Sequence, residues 1–233
     1  MAITFQQTAS NGAANAGPVT VTFTSTPAAD DLILAYYADG AVTDKAMPAI
    51  SGYTLQNELY ANGTNDVNSA LYWKYAAGSE TNIVGPDMSG TVDGVSMAVM
   101  IFRGVALAVD GGPFSTAATT ATGTSNGNAD NAQIATAAGD VVVLCAAAAA
   151  ATIGTFTAPA SYTTNAQLGT AGSDTSSSKA AMAYRTSGYS NPENPAAWAM
   201  SGTSHSYTAV TLALKEIPAA PTTQVIVVVT AGL

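Results

Sequence analysis

The chain has 233 residues and a mass of 23.2 kDa, long enough for one large domain or two small ones. Only 9% of residues are charged against 48% hydrophobic, and the formal net charge is -9, which excludes a disordered charge-rich chain and a basic face for nucleic acid. A single Cys (Cys145) and a single His (His205) exclude an intrachain disulfide and a multi-histidine metal site, and no stretch is apolar over the roughly 20 residues that a membrane helix needs.

Taken in chain order, the elements are strands. Met1-Ala-Ile-Thr-Phe5 has no basic region followed by an apolar core, so no secretory signal is expected. Val19-Thr-Val-Thr-Phe-Thr24 alternates with period two and is rich in β-branched residues. Asp31-Leu-Ile-Leu-Ala-Tyr-Tyr37 is a short apolar run between acidic turns, as in a buried strand. Ala70-Leu-Tyr-Trp-Lys-Tyr75 alternates, with Leu71, Trp73 and Tyr75 on one face and Tyr72 and Lys74 on the other. Val95-Ser-Met-Ala-Val-Met-Ile-Phe102 reads as a strand apolar on both faces. Turn clusters separate these runs: Ser10-Asn-Gly12, Ala61-Asn-Gly-Thr-Asn-Asp66, Ser125-Asn-Gly-Asn128 and Ser187-Gly188. No amphipathic helix stands out. One local conflict follows Asp140-Val-Val-Val-Leu144, where Ala146–Ala151 taken alone favours a helix.

An internal duplication resolves that conflict. Asp31-Leu-Ile-Leu34, Gly52-Tyr-Thr54, Ala70-Leu-Tyr-Trp-Lys74 and Met88-Ser-Gly-Thr91 recur in order about 110 residues later. Their counterparts are Asp140-Val-Val-Val143, Ser161-Tyr-Thr163, Ala181-Met-Ala-Tyr-Arg185 and Met200-Ser-Gly-Thr203. The halves cover about residues 30–105 and 139–216. Parity is kept: Ala98, Met100 and Phe102 correspond to Val210, Leu212 and Leu214, Trp73 to Tyr184, and Lys74 to Arg185. By analogy Val141–Ala149 is a strand, whose small side chains let a neighbouring sheet or subunit approach. The expected fold is all-β: an antiparallel β-sandwich or jelly roll of about 8–10 strands over residues 1–217.

Two surfaces stand out as interfaces. Met97, Val99 and Ile101 form an apolar stripe where the second half has Ala209, Thr211 and Ala213. Such a stripe marks a subunit contact, or it lies under the N-terminal strand or a loop. The second surface is the tail, residues 218–233. Two prolines restrict Glu216–Thr223, and Gln224-Val-Ile-Val-Val-Val-Thr230 is a further strand. Val225, Ile226, Val227, Val228 and Val229 either return to the chain's own sheet or cross to a neighbouring subunit's edge.

Chemistry-bearing residues are few. His205 corresponds to Asp93 in a turn, so a turn position is favoured over a catalytic one. Cys145 lies in an apolar strand without a basic neighbour, as an inert buried thiol does. Most of the 15 acids sit in turns, and Asp31 and Asp140 occupy equivalent strand starts, so a carboxylate-pair hydrolase has little support. No cofactor is expected. Calcium is the one ion for which the Asn62–Asp66 and Asn126–Asn131 loops collect oxygens, although neither has EF-hand spacing and ordinary Asx turns account for both. Tyr36, Tyr37, Tyr60, Tyr72, Tyr189 and Tyr207 are the aromatics that a sugar could stack on if exposed.

Five segments together resemble a group of tailed-bacteriophage structural proteins. They are Asp30-Asp-Leu-Ile-Leu-Ala35, Ser51-Gly-Tyr-Thr54, Leu71-Tyr-Trp-Lys-Tyr-Ala-Ala-Gly78, Met97-Ala-Val-Met-Ile-Phe-Arg-Gly-Val105 and Tyr207-Thr-Ala-Val-Thr-Leu-Ala-Leu-Lys215. The resemblance spans roughly residues 30–216 and implies a jelly-roll-like virion component: a head decoration (cement) protein, a head fibre or a tail appendage. It implies no enzyme and no active-site residues. The implied partners are the major capsid protein or other virion proteins and further copies of the chain, with neither nucleic acid nor membrane. The implied location is the virion, after assembly in the host cytoplasm. A receptor- or glycan-binding appendage is the alternative, and a polysaccharide-degrading enzyme a weaker one.

Overall fold

A computed structural model describes residues 1–13, 18–40, 43–63, 65–88, 94–124, 128–150, 153–170, 177–202 and 206–219. Its strands in the first half are β1 (Thr4–Ala13), β2 (Thr20–Thr22), β3 (Leu32–Asp39), β4 (Thr54–Ala61), β5 (Val67–Tyr75), β6 (Asn82–Val84) and β7 (Val95–Arg103). After a 3-10 turn at Ala108–Asp110 come β8 (Thr119–Gly123), β9 (Val141–Ala150), β10 (Ile153–Thr157), β11 (Thr163–Thr170), β12 (Ser177–Arg185), β13 (Ala199–Gly202) and β14 (Ser206–Leu214).

Two five-stranded antiparallel sheets carry the fold, in the orders β1-β7-β3-β5-β4 and β11-β12-β9-β14-β8. They pack face to face as a β-sandwich. The central core takes Leu32, Leu34, Tyr36, Met100 and Phe102 from the first sheet and Val141, Val143, Cys145, Leu212 and Leu214 from the second. Alternation puts the other parity outward, where it is covered again. Ile33, Tyr37, Val99 and Ile101 lie with Val21, Phe23, Met47, Ile50 and Ile83. On the far side Val142, Leu144, Ala146 and Ala148 lie with Ile134, Phe156, Tyr162 and Trp198. The outer covers include two short ribbons, β2-β6 and β10-β13. Four layers explain why β3, β7, β9 and β14 are apolar on both faces: each is central in its sheet and buried from both sides.

Corresponding pairs hold the same register. Leu32 faces Phe102 as Val141 faces Leu214. Ile33 faces Lys74 as Val142 faces Arg185. Thr54 faces Trp73 as Thr163 faces Tyr184. The edge strands β4 and β11 are interrupted at equivalent places, between Leu55 and Asn57 and between Thr164 and Ala166. The correspondence reaches the N-terminal strand: Phe5 pairs with Phe102 as Phe114 bridges Leu214.

One expectation is corrected and the others are sharpened. The expected antiparallel β-sandwich is what the sheets form, and each large sheet draws all its strands from one half of the chain. The Val19–Thr24 strand pairs with β6 over Thr20–Thr22, and backbone hydrogen bonds from Gly85 N–H to the Val19 carbonyl (2.7 Å) and from Phe23 N–H to the Thr81 carbonyl (2.8 Å) extend it on both sides. Ser10-Asn-Gly12, read as a turn, lies inside β1, where the Asn11 amide donates to the Thr20 carbonyl (2.7 Å). The alanine run continues β9 as far as Ala150 because β12 and β14 hydrogen-bond to it on both sides.

Candidate functional site

The two ends of the sandwich differ chemically. At the end where β3 begins, aromatic rings plug the gap between sheets. Phe5 stacks on Tyr184 (4.9 Å between centroids) and meets Phe102 edge-on (5.8 Å). In the mirrored position Trp73 meets Phe114 edge-on (5.8 Å). Asp31 marks this end. Its carboxylate, almost fully buried, accepts Nε and Nη2 of Arg103 (2.8 and 2.9 Å) and the backbone N–H of Ala28 (2.9 Å). Asp140 accepts from Ala137 N–H (2.7 Å) and the Ser115 hydroxyl (2.5 Å).

At the opposite end the core turns polar. Tyr36 Oη, Ser69 Oγ and Thr208 Oγ1 form a closed triangle with sides of 3.0, 3.0 and 2.7 Å, joining the two sheets. Ser96 Oγ lies 3.2 Å from Ser178 Oγ, which reaches the Ala38 carbonyl. Burial pushes the Tyr36 hydroxyl well above its ordinary value, so it stays protonated and bridges as a neutral group. Sequence reasoning singled out Tyr36 only as an aromatic and missed the hydroxyls of Ser69, Ser96, Ser178 and Thr208. Their signal was there: Ser and Thr at inward parity in otherwise apolar strands.

The anticipated residues fall as follows. Met97, Val99 and Ile101 are 0%, 0% and 1% exposed, inside the first sheet's outer cluster. Of the two alternatives for this stripe, cover by the chain's own residues is the one observed; a subunit contact there would require that cover to leave. Val225–Val229 and His205 lie outside the described residues, as does Asp93. Cys145 is fully buried in the central core, and burial raises its thiol far above the ordinary range, so it is no nucleophile. Tyr36, Tyr37 and Tyr72 are fully buried and offer no stacking face, while Tyr60, Tyr189 and Tyr207 are half-buried.

Two of the calcium-candidate side chains serve the chain itself. Asp66 accepts from Gly63 N–H and the Tyr60 hydroxyl. Asn131 accepts from Trp198 Nε1 (2.8 Å) and donates to the Val210 carbonyl (2.9 Å). Among the described residues no cluster of three His, Cys, Asp or Glu side chains could hold a metal. A surface pocket of about 210 Å³ is lined by Ser161, Thr163, Tyr184, Arg185, Thr186 and Ser187. Its cation is committed, since Arg185 pairs with Glu193 (3.0 Å) and donates to the carbonyls of Ser187 and Gly188.

What remains open is backbone. Among the described residues β1, β4, β8 and β11 have no strand on their outer side. All four run in the same direction, away from the aromatic end: Thr4 lies opposite Arg103, Thr54 opposite Trp73 and Thr163 opposite Tyr184, while β8 runs from Thr119 opposite Thr211 to Gly123 opposite Tyr207. The chain is thus a twin-sheet β-sandwich whose charged side chains mostly close its own loops and whose open groups are sheet edges. No protein-family model, curated protein or solved structure matches it.

Proposed function

We propose that the chain is a structural protein of a tailed-phage virion, a head decoration or cement protein that stabilises the capsid through contacts with the major capsid protein or other virion proteins. The observation that carries this reading is the run of motifs resembling that group, from Asp30–Ala35 to Tyr207–Lys215. The fold is consistent with such a role. Ion pairs Asp31–Arg103, Lys74–Glu80 and Arg185–Glu193 tie charge into the sandwich itself. A small, sparsely charged surface of Thr, Ser, Ala and Gly loses little rotamer entropy when another protein covers it. The location is the particle, assembled in the host cytoplasm.

Locating the chain in purified particles by cryo-EM tests this. Many copies spread over the head lattice are expected, and absence from the particle overturns the proposal. A few copies at a vertex or the tail would support the second reading, a receptor- or glycan-binding appendage. The half-buried rings of Tyr60, Tyr189 and Tyr207 favour that alternative. Glycan-array binding abolished by Tyr→Ala changes at these positions would establish it.

A further inference from the structure

Each apolar face of the two large sheets is covered, by the other sheet on the inside and by ribbons and loops on the outside. The segment Gln224-Val-Ile-Val-Val-Val-Thr230 is uncharged, free of proline and β-branched at most positions. A strand of this kind needs backbone partners, and the large sheets offer them only at their edges.

Geometry decides whose edge. The chain leaves the sandwich at the aromatic end, where Ile217 N–H donates to the Gly104 carbonyl (3.0 Å) and the Met1 amino group donates to the Ile217 carbonyl (2.9 Å). All four edge strands run away from this end. A tail that continues from there along any edge of its own large sheets runs parallel to it, whereas every strand pair among the described residues is antiparallel. Antiparallel entry requires starting from the far end. Residues 218–223 reach about 20 Å fully extended. The sandwich is longer, since the 10 residues of β1 alone span about 30 Å.

The edges are not equally receptive. β1 is irregular between Phe5 and Gln7, and the Gln7 amide is clamped to Thr24 and Ser25. β4 and β11 are bulged, and β4 carries the exposed Glu58. Bulges and edge charges are devices against strand addition. β8, Thr119-Thr-Ala-Thr-Gly123, has regular pairing, no charge and no proline.

We propose that Gln224–Thr230 of one copy pairs antiparallel with the outer edge of β8 in a second copy, joining copies of this chain by strand donation. The inference concerns the chain in solution and does not rest on the particle reading. Two single-substitution variants test it, Thr120→Cys at an exposed β8 position and Val227→Cys in the tail, with Cys145 left in place because it is fully buried. When they are mixed and oxidised, a mixed disulfide dimer is expected at roughly ten times the yield of a Thr54→Cys plus Val227→Cys control on β4, because donation raises the local thiol concentration. Light scattering should find the unmodified chain larger than a monomer, and Val227→Pro should return it to a monomer with unchanged circular dichroism. A monomeric parent chain, equal yields from the two mixtures, or a double variant that crosslinks only within one chain in dilute solution overturns the proposal.

Discussion

Glu80 and Glu193 perform one task in the two halves. Each accepts an N–H from three residues earlier, Ala77 (3.0 Å) and Ser190 (2.8 Å) respectively. Each also holds a strand cation, Lys74 at 2.6 Å and Arg185 at 3.0 Å. Those cations lie over Tyr53 (5.3 Å) and Tyr162 (5.8 Å). Burial alone would raise the Glu80 carboxyl, but hydrogen bonds from Lys74 and backbone N–H groups outweigh it and hold the group at about 2. A lowered folded value means stability that is complete above the unfolded value of about 4.5 and lost as pH falls towards about 2. Melting temperatures from pH 7 to pH 2 should therefore fall less steeply for Glu80→Gln than for the parent; identical slopes would refute the role. The twin tyrosines differ in one atom's fate. Tyr162 Oη donates to Glu193 (2.9 Å), whereas the buried Tyr53 Oη has no hydrogen-bond partner among the described residues. Tyr162→Phe should cost about 1 kcal/mol in denaturant unfolding, while Tyr53→Phe should leave stability unchanged or raise it. The Lys74–Arg185 equivalence was legible in the sequence. Their acidic partners were not, because they come from irregular segments where alternation says nothing about side-chain direction.

At the scale of elements β9 is the clearest case of context overriding propensity. Its alanines favour a helix locally, yet Ala146–Ala149 are completely buried and laddered to β12 on one side and β14 on the other. Ala147 faces the central core and Ala148 the outer cluster, so both neighbouring layers approach this strand. Such packing leaves no room for volume. Ala147→Leu should destabilise by about 1–3 kcal/mol through overpacking, measured by denaturant unfolding. A neutral result would mean that a void exists beside the strand. The apolar run Asp140–Leu144 reads as a strand by itself, but only its likeness to the first half carried that strand on through the alanines. The strands missed outright from the sequence, β1 and β8, are polar edge strands, where half the side chains face solvent and the apolar signal is thin. The same thinness hid β10 and β13, which form a cover rather than a sheet centre.

Across the whole molecule the two sheets behave as a fused pair. Phe5 of the first half packs on Tyr184 of the second, and Phe114 of the second packs on Trp73 of the first. Phe5 corresponds to Phe114 and Trp73 to Tyr184, so the two contacts exchange under one approximate two-fold. That reciprocity is the mark of an isologous interface, here closed within one chain. Matched motifs about 110 residues apart predicted two like halves. They could not reveal that each half forms its own sheet, because a repeat fixes what corresponds and leaves open what pairs. This packing has a thermodynamic consequence. The central core takes Leu34 from one half and Leu212 from the other, so neither sheet keeps its inner face covered if its twin unfolds. The chain should unfold in one transition despite its internal repeat. Leu34→Ala and Leu212→Ala should each cost about 2–5 kcal/mol and lower the same single calorimetric peak. Two peaks, with each substitution moving only one, would show halves that are stable independently and would remove the fused-pair account of this fold.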